Sequence, residues 1–216
     1  MTGFSKQAVE FLAALKANNS RAWFDANKPT YEAALKRPAV AFAEALSAEL
    51  AGLTGLPHRP RIYRIHRDVR FSKDKSPYNA HLHMSFVPDI RHPAPPAWMF
   101  GLEPDRVALG VGVLAFDGEA LDTWRARVAG ADGAVLADAL SRLEREGVRA
   151  NTPELKRVPG PYLSSHPREA LLRRKALTVF FDHAGISLGE GEGAARRCAL
   201  GLDRLRAVFD WLVKPV

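Results

Sequence analysis

Cysteine is nearly absent from this chain of 216 residues, in which Cys198 is the only one. A lone cysteine excludes an internal disulfide and predicts a protein of a reducing compartment, the cytoplasm. It also excludes zinc sites that are built from paired cysteines. We predict that Cys198 is a small buried apolar side chain rather than a nucleophile, because free cysteines are mostly buried.

Long apolar runs are missing as well, so we predict no transmembrane helix and no membrane partner. The N-terminal residues alternate apolar and charged positions and lack the basic start, apolar core and cleavage site of a signal peptide. The P-loop, the dinucleotide-binding fingerprint and the serine nucleophile elbow are also absent. The sequence therefore identifies no cofactor, and it leaves the oligomeric state and the question of enzymatic activity open.

The composition is that of a globular protein, with 47% hydrophobic and 25% charged residues. A chain of this length can bury a core without disulfides or a metal. The formal net charge of +7 and the isoelectric point of about 9.8 indicate anionic partners without identifying them.

Residues 59–78 contain seven of the basic residues and only two aspartates, a net charge of +5. Apolar and charged residues alternate from Arg61 to Phe71, which predicts a strand. The polar segment that follows, up to Tyr78, contains Pro77 and predicts a loop. Such a strand and loop can place several donors around one point. The alternative is a solvated edge strand, whose charges merely prevent unwanted pairing.

The remaining patterns predict an α+β fold with a mainly antiparallel sheet flanked by helices, an N-terminal helical layer and a C-terminal helix. We predict a single domain over residues 1–216, with a helical segment at 4–53, a strand-rich centre at 60–116, and helices and a further strand at 117–216. Within the first segment, Ser20 is expected to cap a short helix and Pro29 to begin the next. Gly110 and Gly112 share one face of a strand, where they permit close approach of a helix or a ligand.

Three blocks of the sequence stand out together. They are Asn18-Asn19-Ser20-Arg21-Ala22-Trp23-Phe24 with Asn27, Lys28 and Tyr31; Arg67-Asp68-Val69-Arg70-Phe71-Ser72-Lys73-Asp74-Lys75 with Pro77 and Tyr78; and Leu155-Lys156-Arg157-Val158-Pro159-Gly160 with His166, Pro167, Leu172 and Lys175. Over about residues 4–181 the chain thereby resembles the conserved family known as domain of unknown function 2461. Asn79 departs from that family, which commonly has lysine there. The resemblance implies no established activity, but it implies that these blocks form the shared centre.

The blocks supply cations and hydroxyl groups that suit a small phosphorylated or carboxylated ligand. The candidate ligand-binding residues are Arg21, Lys28, Arg67, Arg70, Ser72, Lys73, Lys75, Tyr78, Lys156 and Lys175. If the protein is catalytic, Asp68 and His166 are the candidate general bases. The competing interpretations are an ion pair for Asp68 and a helix cap for His166.

Two other functions stay open. Basic residues interleaved with aromatic ones are also typical of nucleic-acid binding, and a charged surface also suits an acidic protein partner. A small ligand requires the cations to converge in a pocket, a nucleic acid requires them spread along a face, and a protein partner requires exposed apolar anchors such as Trp98 or Phe100. His81 and His83 share a strand face, but no standard ligand spacing accompanies them, so we predict no metal.

Overall fold

The computed structural model describes residues 3–214 and contains helices and strands in mixed order. The α-helices are α1 (Lys6–Ala17), α2 (Arg21–Thr30), α3 (Arg37–Thr54), α4 (Gly118–Ala129), α5 (Asp132–Arg145), α6 (Glu169–Leu172), α7 (Ala194–Asp203) and α8 (Arg206–Val213), with a π-helix at Tyr31–Lys36. The strands are β1 (His58–Ile62), β2 (Leu82–Pro88), β3 (Ala97–Leu102), β4 (Arg106–Val113), β5 (Arg149–Ala150) and β6 (Leu177–Ala184). None of the helices within residues 3–214 is long and apolar enough to cross a membrane.

The six strands form one antiparallel sheet in the order β1-β2-β3-β4-β6-β5, which confirms the predicted α+β class. Sequential strands from β1 to β4 are neighbours, and the tight turn between β3 and β4 is closed by the Glu103 N–H bonded to the Arg106 carbonyl at 2.9 Å. At the other end of the sheet, Arg149 of β5 lies opposite Phe180 of β6.

Gly110 and Gly112 of β4 are required by close packing against β6. A Cβ atom on Gly110 would lie 2.3 Å from the Phe180 ring, and one on Gly112 would lie 2.0 Å from the Leu177 carbonyl oxygen. The close approach predicted at these two glycines is therefore made by the neighbouring strand β6, and not by a helix or a ligand as expected.

The N-terminal helices begin as predicted but join differently. The Ser20 Oγ accepts a hydrogen bond from the Trp23 N–H at 3.3 Å, which caps α2. The prediction that Pro29 begins a new helix is wrong, because α2 runs through Pro29 and continues into the π-helix and α3. The Arg37 N–H bonds to the Glu32 carbonyl, five residues back, so the extra residue is absorbed just before Pro38.

The predicted strand over residues 61–71 is also wrong, because β1 ends at Ile62. Residues 63–79, called here the basic loop, turn back on themselves instead. The Arg67 N–H bonds to the Pro77 carbonyl at 2.9 Å, and the Asn79 N–H bonds to the Ile65 carbonyl at 2.7 Å. Of the alternating apolar positions only Ile65 is buried, and Phe71 at the far end is 95% exposed, so no apolar face supports a longer strand.

The chain divides into two compact units. Within the described residues, the first comprises 3–86, 99–109 and 182–201, and the second comprises 87–98, 110–181 and 202–214. The prediction of a single domain stays a prediction.

Each unit has its own aromatic centre. In the first, the rings of Phe4, Phe42 and Phe100 lie 4.6–5.9 Å apart. In the second, Trp98 stacks on Phe209 at 4.6 Å. The expected C-terminal helix is present as two helices, α7 and α8, separated at Arg204 and Leu205.

Candidate functional site

An open cleft of about 730 Å³ lies in the first unit, where β1 leads into the basic loop. It is lined by Arg61, Ile62, Tyr63, Arg64, His66, Arg67, Asp68, Asn79, His81 and His83. Three arginines and three histidines thus surround one concave surface, together with a single carboxylate. A concave surface with a few converging polar groups is typical of a small-ligand site.

Two of the arginines present guanidinium groups that are not held by a carboxylate. Arg61 lies with its guanidinium carbon 4.8 Å from the centre of the Tyr63 ring, a cation–π contact. The main-chain oxygen of Arg64 accepts a hydrogen bond from the Asn79 side chain at 3.4 Å. Within residues 3–214 neither arginine forms a salt bridge, and both side chains are exposed. Both therefore have donors available for a ligand.

Arg67 is tied instead into the basic loop. One of its guanidinium nitrogens pairs with Asp74 and also donates to the Ser76 carbonyl at 3.2 Å. Asp74 in turn accepts from the Ser76 hydroxyl at 2.7 Å and from the Ser76 N–H at 2.9 Å. These bonds from Ser76, with the charge of Arg67 added, lower the pKa of Asp74 well below its usual value. Arg67 therefore faces the cleft with a fixed orientation.

Arg70 is the partner of Asp68. Its Nε donates at 3.0 Å and its terminal nitrogen at 2.7 Å, so the two side chains form a bidentate pair. The pKa of Asp68 is lowered chiefly by Arg70, which weakens this carboxylate as a base. Lys75 donates to the Val69 carbonyl at 3.0 Å and braces the same turn. Asp68 therefore forms the ion pair that was its competing interpretation.

Tyr78 anchors the end of the basic loop to α2. The Asn19 side chain donates to the Tyr78 carbonyl at 2.9 Å and accepts from the Tyr78 N–H at 3.1 Å. The Tyr78 ring is 4% exposed and stacks on Phe24 with ring centres 4.1 Å apart. Desolvation raises the pKa of its hydroxyl. Two of the sequence blocks that stood out together thus meet in space, and Tyr78 serves the architecture of that meeting.

His81 and His83 stack side by side with ring centres 4.0 Å apart. Gly101 on β3 makes room for them, since a Cβ atom there would lie 3.3 Å from a carbon of the His83 ring. Desolvation, with the charge of His81 added, lowers the pKa of His83 to about 4, although His83 still exposes one side to solvent. Desolvation also lowers the pKa of His81. Both rings are therefore neutral near pH 7.

Residues 7–211 match the family model described as conserved hypothetical protein (DUF2461). The chain belongs to this family. A search of curated proteins finds no match. The resemblance predicted from the three sequence blocks is confirmed, and it extends over nearly the whole chain.

The cleft of this DUF2461 protein contains only part of the predicted site. Arg67 and Asp68 line it, whereas Arg21 and Lys28 lie on the exposed surface of α2 and Lys73 is exposed on the basic loop. The Ser72 hydroxyl lies 3.5 Å from Arg67 and supports that side chain.

Lys156, Lys175 and His166 belong to the second unit of the DUF2461 chain. Lys156 and Lys175 are exposed. The His166 ring accepts a hydrogen bond from the Arg168 N–H at 3.0 Å. This bond holds the turn before α6, which has Arg168 at its N-cap and no side-chain cap bond, so the predicted helix cap is not formed.

The predicted site omitted the other arginines and all the histidines of the cleft, which are Arg61, Arg64, His66, His81 and His83. A signal for one pair existed, because the period of a strand places His81 and His83 on one face. Within residues 3–214, no group of three or more histidine, cysteine, aspartate or glutamate side chains is arranged to hold a metal ion. Trp98 and Phe100, the suggested apolar anchors for a protein partner, are each 1% exposed.

Proposed function

We propose that the cleft binds a small phosphorylated or carboxylated molecule. The observation that carries this proposal is that Arg61, Arg64 and Arg67 line one concave surface, while only Arg67 is paired with a carboxylate. The planar guanidinium group matches phosphate and carboxylate oxygens with two parallel hydrogen bonds. The proposal concerns binding and assigns no reaction.

The residues of the cleft have distinct roles in this proposal. Arg61 and Arg64 grip the anion, and Arg67 offers donors in an orientation fixed by Asp74. The neutral rings of His81 and His83 supply hydrogen bonds and take up a proton more readily once an anion is bound, because a nearby negative charge favours the cationic form.

Single-stranded nucleic acid is the second candidate ligand, and Phe71 favours it. This ring is 95% exposed, and the Arg70 guanidinium carbon lies 5.9 Å from its centre. An exposed aromatic ring beside cations can stack on a base while the cations bind phosphate. Lys73 and Lys75 add exposed charges to the same turn.

Thermal unfolding in the presence of inorganic phosphate, sulfate, sugar phosphates, nucleotides and dicarboxylates tests the proposal. A ligand at one hundred times its Kd should stabilise the protein by about 2.7 kcal/mol, or roughly 5–10 °C in Tm. The Arg64→Ala variant should lose this shift, because it removes a cleft cation without breaking an ion pair. Arg37→Ala, on the exposed start of α3, is the matched control and should retain it.

The variants also separate the two ligand classes. A shift with a small anion that Arg64→Ala retains would refute the cleft as its site. A shift that appears only with oligonucleotides, decreases with salt and is lost in Phe71→Ala would establish the second candidate instead.

A further inference from the structure

A second cleft, of about 570 Å³, lies entirely within the second unit. Its walls are mainly aliphatic and come from α5, β5, α6 and β6, with Ala137, Leu140, Ala170, Leu171 and Val179 among them. Arg174 lines the same cleft, as do Arg149 and Arg168. A mostly apolar cavity with a few cationic groups suits a ligand that has an apolar body and a charged end.

Arg174 is buried to an unusual degree for an arginine, with only 8% of its surface exposed. One terminal nitrogen, Nη1, donates to the main-chain oxygen of Asn151 and to its side-chain oxygen, the latter at 3.0 Å. These partners are neutral. Within residues 3–214 Arg174 forms no salt bridge, although a buried charge normally has a counter-charge.

The opposite edge of the Arg174 guanidinium forms no hydrogen bond within the described residues. Its Nε is buried without a hydrogen-bond partner. Its second terminal nitrogen, Nη2, makes no hydrogen bond to another residue of the described chain. The Nε and Nη2 hydrogens point the same way, and this edge of arginine receives a carboxylate side-on with two bonds. Desolvation lowers the pKa of Arg174, with the charge of Glu154 opposing that effect, so an added anion would stabilise the cation.

The neighbouring arginine in this cleft is committed elsewhere. Arg168 donates to the carbonyls of Val128 at 2.6 Å, Ala129 at 2.7 Å and Gly130 at 2.9 Å, and so closes the C-terminal end of α4. Glu144 also lines the cleft and repels additional negative charge. One negative charge on a ligand is enough to neutralise Arg174, whose hydrogen-bond partners are neutral.

We infer that this cleft binds a monocarboxylate with an apolar body, whose carboxylate pairs with the Nε and Nη2 edge of Arg174 while its body lies against the aliphatic walls. This site is separate from the cleft of the proposed function and shares no residue with it.

Isothermal titration calorimetry with octanoate tests the inference, with octan-1-ol as the neutral analogue of equal chain length. Octanoate should bind the wild-type protein at least about tenfold more tightly, the factor expected from one charge-assisted hydrogen bond. Arg174→Lys should lose the same factor, because lysine keeps the charge but lacks the two-donor edge. Equal affinity for octanoate and octan-1-ol, or no binding of octanoate at millimolar concentration, would overturn the inference.

A second variant keeps the test decisive if substitution of Arg174 prevents folding. Ser141 is exposed and lines the cleft, so Ser141→Trp should fill the cleft and abolish octanoate binding without altering Arg174. Arg142→Ala, at the next position of α5 and outside the cleft, should bind octanoate as the wild type does. Undiminished binding by Ser141→Trp would place octanoate elsewhere and refute the site. Binding of sulfate to the cleft of the first unit should be the same in Ser141→Trp and Arg142→Ala as in the wild type.

Discussion

His83, one of the cleft residues, makes the stability of the folded protein depend on pH. Its ring stacks on the His81 ring and lies beside Gly101, and its neutral form is favoured. The unfolded chain does not share this environment, so His83 has its usual pKa of 6.5 there and about 4 in the folded protein. Between those values the unfolded state binds a proton that the folded state does not.

We therefore predict that acid weakens the fold through His83. The free energy of unfolding should decrease as the pH falls from about 6.5 towards 4, because protons bind preferentially to the unfolded state. His83→Gln should show a smaller decrease over this window, as measured by urea denaturation at several pH values. A parallel pH profile in wild type and variant would contradict the prediction. His183→Gln, at a half-buried position on β6, is the control.

At the same scale, residue chemistry named Arg67 and Asp68, which line the cleft, and did not name Arg61 and Arg64, which also line it. Charge density drew attention to the segment of the sequence that contains all four. The alternation was interpreted as a strand, and it could not show that the chain leaves the strand after Ile62 and folds back so that Arg67 pairs with Pro77. The returning end of the basic loop is held by the bonds between Asn19 and Tyr78, which are 59 residues apart in sequence. Local periodicity contains no information about such pairings.

At the scale of elements, the contact between β4 and β6 depends on glycine. Gly112→Ala should destabilise the protein by about 1–3 kcal/mol, the usual cost of overpacking, because its Cβ atom would overlap the Leu177 carbonyl. Gly52→Ala is the matched comparison, since it lies exposed within α3 with no atom within 4 Å of the added Cβ. That change should stabilise by roughly 0.5–1 kcal/mol.

Urea denaturation of both glycine variants measures the two changes. A loss of stability in Gly52→Ala as large as that in Gly112→Ala would show that alanine is harmful at glycine positions generally. The contact with β6 would then not be the cause.

The helical segment shows where element prediction succeeds and where it fails. The cap at Ser20 is a local signal, and α2 begins directly after it. Pro29 carries a local signal too, but the helix continues through it. The buried faces of the π-helix and α3, with Leu35 and Phe42 among their apolar side chains, favour continuation over a break.

At the scale of the whole molecule, the α+β class followed from the alternation of helical and strand-like segments, and the antiparallel sheet followed from short turns between strands. The sequence pattern did not predict the division into two compact units. Residues that are distant in sequence, such as Phe4 and Phe100, share one unit, and no composition change marks the boundaries.

Cys198 offers a measure of the stability of the fold. The side chain is fully buried in α7, its thiol donates to the Leu188 carbonyl at 3.3 Å, and desolvation raises its pKa to about 12. Since the thiolate is the reactive form, the native protein should not react with a disulfide reagent such as Ellman's reagent. Labelling of Cys198 should occur only when the protein opens transiently. The labelling rate should therefore increase with urea concentration.

The Cys198→Ser variant supplies the blank for that measurement, because Cys198 is the only cysteine. Complete labelling of the native protein within the mixing time would show an accessible thiolate and contradict the buried position.

The hydrogen bonds between Asn19 and Tyr78 restrict substitution at the two positions to different degrees. Asn19 binds main-chain atoms of Tyr78, so the hydrogen bonds place no requirement on the side chain at position 78. Another flat aromatic ring there can still stack on Phe24. Position 19 has no such freedom, because it must supply one donor and one acceptor at a short, fixed reach. In the evolution of this chain the inconspicuous asparagine is therefore the less replaceable partner, and the tyrosine is the more replaceable one.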